Sequence, residues 1–235
     1  METQTITACP FVQDVPALVS FLERAFGATE KFRGTGASGG YHVELQIGRS
    51  GMMIGGGPDL GWTGAVRPMA FHVYVPDTEA TYKRAVEGGA ESLVAPTDVG
   101  GGRCVANIKD PSGNRWYIAS GRNEKVSYDS PLVNPYVHSL AVPSFIAFLR
   151  KVFGVVDFPT PGGGSVIFIG KSCLEIGPSH GVYQPMPGMI YICLSDADAV
   201  AAVAASIGMA GVRLDRFAFT DTWGNTWYLY SRPEH

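Results

Sequence analysis

Four stretches of this chain occur twice, in the same order, and that duplication limits the fold more than any other feature. VPALVSFLERAFG (15–27) returns as VPSFIAFLRKVFG (142–154), and IGRSGMMIG (47–55) returns as IGKSCLEIG (169–177). PMAFHVYVPDTEATYKRAVEGG (68–89) returns more loosely as PGMIYICLSDADAVAAVAASIG (187–208), and DPSGNRWYIAS (110–120) as DTWGNTWYLYS (221–231). Segments repeated in order imply repeated supersecondary units. The 235 residues suit two domains of ordinary size, each large enough to bury a core. The expected division is 1–120 and 131–235, joined by the polar, aperiodic GRNEKVSYDS (121–130).

Local signals define the unit that repeats. Asp14 can cap a helix with Pro16 in its first turn and Gly27 after its end, and Phe21, Leu22 and Phe26 give it an apolar face. Asp77 can cap TEATYKRAVE before Gly88-Gly89, and Ser195 or Asp196 can cap AVAAVAASI before Gly208. TITACPFV, YHVELQI, GMMIG, FHVYV, RCVANI and RWYIA read as strands. Asp110-Pro111-Ser112-Gly113 has the residue order of a type I turn leading into the last of them. Each half then reads βαβββ-βαβββ, an α+β fold.

Charge and cysteine usage exclude several classes of partner. The net charge is −3 with both signs interspersed and no basic block, which argues against nucleic acid and anionic membranes. Cys9, Cys104, Cys173 and Cys193 have no CxxC spacing and read as buried thiols in a reducing compartment. No stretch has transmembrane length and METQTITACP has no signal-peptide pattern, so a cytoplasmic protein is expected. GTGASG (34–39) matches a dinucleotide fingerprint but precedes a strand, so it is expected to be a hairpin turn. IGKS (169–172) lacks the glycine and the preceding loop of a phosphate-binding loop.

The order of VPALVSFLERAFGA, HVELQIGRSGMMIG, VYVPDTEATYKRAVEGGA and DPSGNRWYIAS resembles the vicinal oxygen chelate superfamily. That group includes glyoxalase I, the fosfomycin and bleomycin resistance proteins and the extradiol dioxygenases. The resemblance covers 5–120 closely and 131–232 more weakly. It implies curved sheets around a cavity, helices outside, and two domains paired within one chain. It leaves a homodimer open.

The superfamily's metal enzymes place a Glu three residues after the Asn of a DPxGN turn. By resemblance, Tyr117 and Tyr228 occupy that place here. The other implied ligand positions are Thr7, Glu44 and Ala70 in the first half, and Asn134, Val166 and Met189 in the second. Only Glu44 keeps a liganding type, and one carboxylate holds a divalent ion poorly. The expectation is a site without metal or other cofactor. If a metal is present, His42, Glu44 and His72 are its expected ligands, since strand residues two apart share a face.

Aromatic side chains dominate the expected cavity walls: Tyr74 and Tyr117 in the first half, and Tyr191, Tyr228 and Tyr230, with Phe168 and His138, in the second. His42, Gln46 and His72 add polar groups. Ligand sites are typically apolar with a few placed polar groups. This pattern favours a protein that binds, and by analogy with resistance members sequesters, a hydrophobic or aromatic small molecule. The alternative is a lyase, isomerase or dioxygenase, with or without a relocated metal. Glu44 would then be a buried base with a raised pKa, and His72 or Tyr117 the acid.

Overall fold

The computed structural model describes residues 5–37, 39–121, 132–181, 183–206, 208, 211–213 and 217–231. The linker expected over 121–130 lies, apart from Gly121, outside the described residues. In chain order the elements of the first half are β1 (Ile6–Ala8), β2 (Phe11–Val12), α1 (Val15–Phe26), β3 (Thr29–Thr35), β4 (Tyr41–Ile47) and β5 (Ser50–Gly56). They continue as β6 (Ala70–Tyr74), α2 (Thr78–Glu87), β7 (Glu91–Asp98), β8 (Arg103–Lys109) and β9 (Arg115–Gly121). The second half has β10 (Leu132–Ser139), α3 (Val142–Phe153), β11 (Asp157–Thr160), β12 (Gly164–Ile169) and β13 (Ser172–Pro178). It ends with β14 (Met189–Leu194), α4 (Ala197–Ser206), β15 (Gly211–Arg213), β16 (Phe217–Thr220) and β17 (Thr226–Ser231).

The four βαβββ repeats share one strand order: β2-β5-β4-β3, β6-β9-β8-β7, β10-β13-β12-β11 and β14-β17-β16-β15. In each, first and last strands pair in parallel while the remaining pairs are antiparallel. The first strand returns to the last through a helix, as parallel pairing requires. Capping follows the sequence. Asp14 accepts from the Ala17 N–H and Asp77 from the Ala80 N–H, each at 2.9 Å. Gly27 ends α1 at φ 68°. The GTGASG segment joins β3 to β4 as a hairpin. β7 carries Pro96 and irregular register, tolerable because it is an edge strand.

The first expected strand, TITACPFV, is broken at Pro10, which has no N–H to give a ladder. Residues before it bond to β14: Thr7 pairs with Tyr191, and the Cys9 N–H donates to Met189 at 3.0 Å. Residues after it bond elsewhere: Phe11 pairs with Gly55 of β5 and its N–H donates to Arg67 at 3.1 Å. The chain accordingly forms two compact units, one of Pro10–Asn134, the other of Pro135–His235 with the N-terminal residues through Cys9. β1 thus packs with the second half rather than with the half it begins. Both changes of unit fall at a proline, Pro10 and Pro135.

One core motif is present in each unit. Asp110, 2% exposed, accepts four N–H groups. Oδ1 takes Ser112 at 2.9 Å and Asn114 at 3.0 Å, while Oδ2 takes the Asn114 amide and the Trp116 indole, both at 2.9 Å. The Asn114 Oδ1 accepts the Met69 N–H at 2.9 Å, tying the turn to the start of β6. Asp221 repeats this with Trp223, Asn225 and Trp227, and Asn225 accepts from Gly188. Burial pushes both aspartates above the ordinary carboxylate range, against the opposing pull of their donors.

Because all four partners of each aspartate are donors, an amide can replace only one of its oxygens. Asp110→Asn should lower stability by about 3 kcal/mol in chemical denaturation, as two buried N–H groups lose their acceptor. A change below about 1 kcal/mol would contradict this account of the turn.

Candidate functional site

Helix α2 packs on β8 and β9, and α4 on β16 and β17. Trp116 lies on the helix side, stacked on Phe71 at 4.5 Å and against Phe26 of α1 at 4.6 Å. Trp227 is its counterpart, 5.1 Å from Phe153 of α3. Adjacent strand residues point to opposite faces. Fixing each Trp therefore turns Tyr117 and Tyr228 away from the helices, and this opposite face carries the candidate groups.

In the Pro10–Asn134 unit the register aligns His72 with Tyr117 and Tyr117 with Asn107. The His72 ring stacks on Tyr74 at 4.3 Å, with the Tyr74 hydroxyl 3.3 Å from His72 Nδ1, and meets Tyr117 edge-on at 6.5 Å. Asn107 is 3% exposed. The structure thus brings His72, Tyr74 and Tyr117 together, as expected from strand alternation.

His42, Glu44 and Gln46 share a face of β4, in a different sheet from β6 and β9. His42 Nε2 lies 3.2 Å from Glu44 Oε1, and the Glu44 side chain is 52% exposed. The buried base expected at Glu44 is not found: Glu44 sits between Met53 and the exposed Phe32, and water reaches it. Gln46 donates its amide to the Gly48 carbonyl at 3.0 Å, bracing its own hairpin turn.

In the other unit Thr7, Tyr191, Tyr228 and Ala218 form a row across four strands. Tyr191 and Tyr228 stack face to face at 4.5 Å with an 11° interplanar angle. His138 and Phe168, expected beside them, instead belong to the β10-β13-β12 set. Phe168 is half exposed against Phe158 at 5.7 Å. His138 is buried, edge-on to Tyr136 at 4.6 Å and stacked with Tyr183 at 5.6 Å.

This second face holds a carboxylate that strand patterning did not single out. Glu175, 6% exposed, pairs in register with Tyr136. Its signal was available: IGKSCLEIG puts an acid inside a strand where the other copy, IGRSGMMIG, has Met53. Burial, then the charge of Glu175 and Tyr183, pushes the Tyr136 phenol up to about 12. Burial and Glu175 likewise push the Cys173 thiol up to about 12, which keeps it protonated and poorly nucleophilic at neutral pH. Gly177 lets the phenol in, since a Cβ there would stand 1.9 Å from the Tyr136 hydroxyl.

Residues 8–118 match the family model for the Glyoxalase/Bleomycin resistance protein/Dioxygenase superfamily. That match spans the first two of the four βαβββ repeats. Among solved structures, glyoxalase I from Zea mays gives a TM-score of 0.69 at 14% identity, over 96% of this chain and 91% of that one. Its V278E mutant gives 0.72 at 15% identity, over the same shares. A putative dioxygenase from Bacillus subtilis gives 0.67 at 13% identity, over 97% and 84%. At these identities the likeness is one of fold. No curated relative matches the chain.

The resemblance to the glyoxalase/dioxygenase superfamily implies a divalent metal in its enzymes, and the donors here do not fit one. Phenols stand at the last-strand positions, and among the described residues no three His, Cys, Asp or Glu side chains are grouped to hold an ion. The alternative trio His42, Glu44 and His72 is therefore not assembled. His138 and Glu175 share a face, but among the described residues no third such donor completes a set. No helix among the described residues is long and apolar enough to cross a membrane.

Tyr136 gives this face a pH signature. Its pKa is raised in the folded state, so the stability it contributes is complete below about pH 10 and is lost as pH rises through about 12. Relative to Tyr136→Phe, the native chain should lose stability on the order of 2 kcal/mol across that window, with a constant difference below it. A difference that stays constant to pH 12 would show an unperturbed phenol.

Proposed function

We propose that the chain binds a flat aromatic small molecule on the faces turned away from its helices. The observation that carries the reading is the pair of caged turns, each of which aims a phenol beside another ring. Tyr117 stands edge-on to His72 and Tyr228 lies stacked on Tyr191. Aromatic rings offer such a ligand stacked or edge-on contacts worth about 0.5–1.5 kcal/mol each beyond area burial. The half-buried tyrosines and His72 combine apolar walls with polar tips, the composition typical of small-molecule sites.

One observation favours a second reading, proton transfer on a bound substrate: the 3.3 Å approach of the Tyr74 hydroxyl to His72 Nδ1. In that version His72 is the proton-handling group and Tyr117 orients the substrate. Glu44 is a weak base candidate because it is exposed and engaged with His42.

The test uses the fluorescent aromatic probe 1-anilinonaphthalene-8-sulfonate on the full chain. Tyr117→Ala and Tyr228→Ala should each weaken probe binding about 2- to 12-fold, the equivalent of one lost ring contact. Glu44→Gln should leave it unchanged. Equal binding by all three variants and the native chain would remove the basis for the aromatic-ligand reading.

A further inference from the structure

Asn107 is the buried polar side chain of this face whose requirements the protein does not meet. Ala106 and Ile108, its neighbours in β8, are buried on the side of Trp116 and Ile118, where α2 packs. Asn107 therefore points the other way, in the row that continues through Tyr117 to His72. It is 3% exposed, and neither its amide nitrogen nor its amide oxygen has a hydrogen-bond partner among the described residues. Leaving either group unpaired costs about 1–3 kcal/mol, so native proteins seldom bury both. The two matching asparagines of the turns, Asn114 and Asn225, are as buried but fully engaged through both amide atoms. Asn107 has no comparable task in the fold.

A carboxamide is complementary to a group with a donor and an acceptor side by side. We infer that Asn107 is a specificity-determining residue for a ligand that presents a carboxamide, lactam or cyclic imide beside its aromatic ring. The ring would lie against Tyr117 and His72, and the amide would meet Asn107 in a paired donor–acceptor contact. This inference rests on the aromatic-ligand reading above and narrows it to a chemical class. Sites built to hydrogen-bond a polar ligand group reject analogues lacking it, because the buried site groups are then left unpaired. The competing explanation is a trapped water that satisfies Asn107 and never leaves.

The test compares benzamide with isopropylbenzene, an apolar probe of similar shape, by titration of the full chain. The native protein should bind benzamide at least about tenfold more tightly, the value of one net hydrogen-bonded contact. Asn107→Leu should abolish that preference while keeping affinity for isopropylbenzene. Equal binding of both probes by the native chain, or a preference that survives in Asn107→Leu, overturns the role of Asn107 and leaves the aromatic-ligand reading standing. Failure of both probes to bind the native chain overturns both. Should Asn107→Leu not fold, the assigned Asn107 side-chain amide signals of the native chain, isotope-labelled at asparagine, decide the matter. They should shift with benzamide and stay fixed with isopropylbenzene. Unmoved signals at benzamide saturation overturn the inference.

Discussion

Two buried aspartates hold this molecule's geometry together. Asp110 and Asp221 each collect four N–H donors from the next six residues, including the indole of the tryptophan near the start of the last strand. A carboxylate is the one side chain that accepts at every position and donates nowhere, so the cage specifies Asp rather than Asn. The accompanying Asn fastens the turn to the repeat's first strand, which is the parallel partner of the last. Trp116 and Trp227 are thereby locked on the helix side. The residue after each is forced to the opposite face, so the orientation of Tyr117 and Tyr228 follows from the hydrogen bonds gathered by an aspartate seven residues upstream.

Much of the fold was legible because its signals are local. Asp14, Asp77 and Gly27 act within one turn of the residues they cap, and the duplicated Asp-x-x-Gly-Asn turn carries its own partners. What failed was partner choice. Ile6–Ala8 reads as a strand from its alternation, but nothing in that pattern says whether it joins its own half or pairs with β14. Pro10 was a visible break in the ladder, yet the destination of the strand on either side is a tertiary outcome.

The site was legible in its aromatic part and misread in its polar part. Tyr191 and Tyr228 meet because parallel register fixes their pairing. Glu44 was expected to be buried because family position pointed to it, but its strand neighbours leave it open to water. Glu175 and Asn107, both buried, occupy strand interiors where an apolar residue is the ordinary choice. Exposure decides which polar strand residue matters, and exposure depends on what covers the sheet.

The faces opposite the helices are thus rich in rings and protonated groups and poor in metal donors. Tyr136 and Cys173 are held neutral by burial beside Glu175, and phenols, Tyr117 and Tyr228, stand on the closing strands β9 and β17. The chain shares the fold of glyoxalase I, and among the described residues its donors form no metal-holding group. Elemental analysis of the purified full chain, after dialysis against divalent metal, tests this most directly. The account predicts no divalent metal retained in stoichiometric amount. One tightly held ion per chain would contradict it.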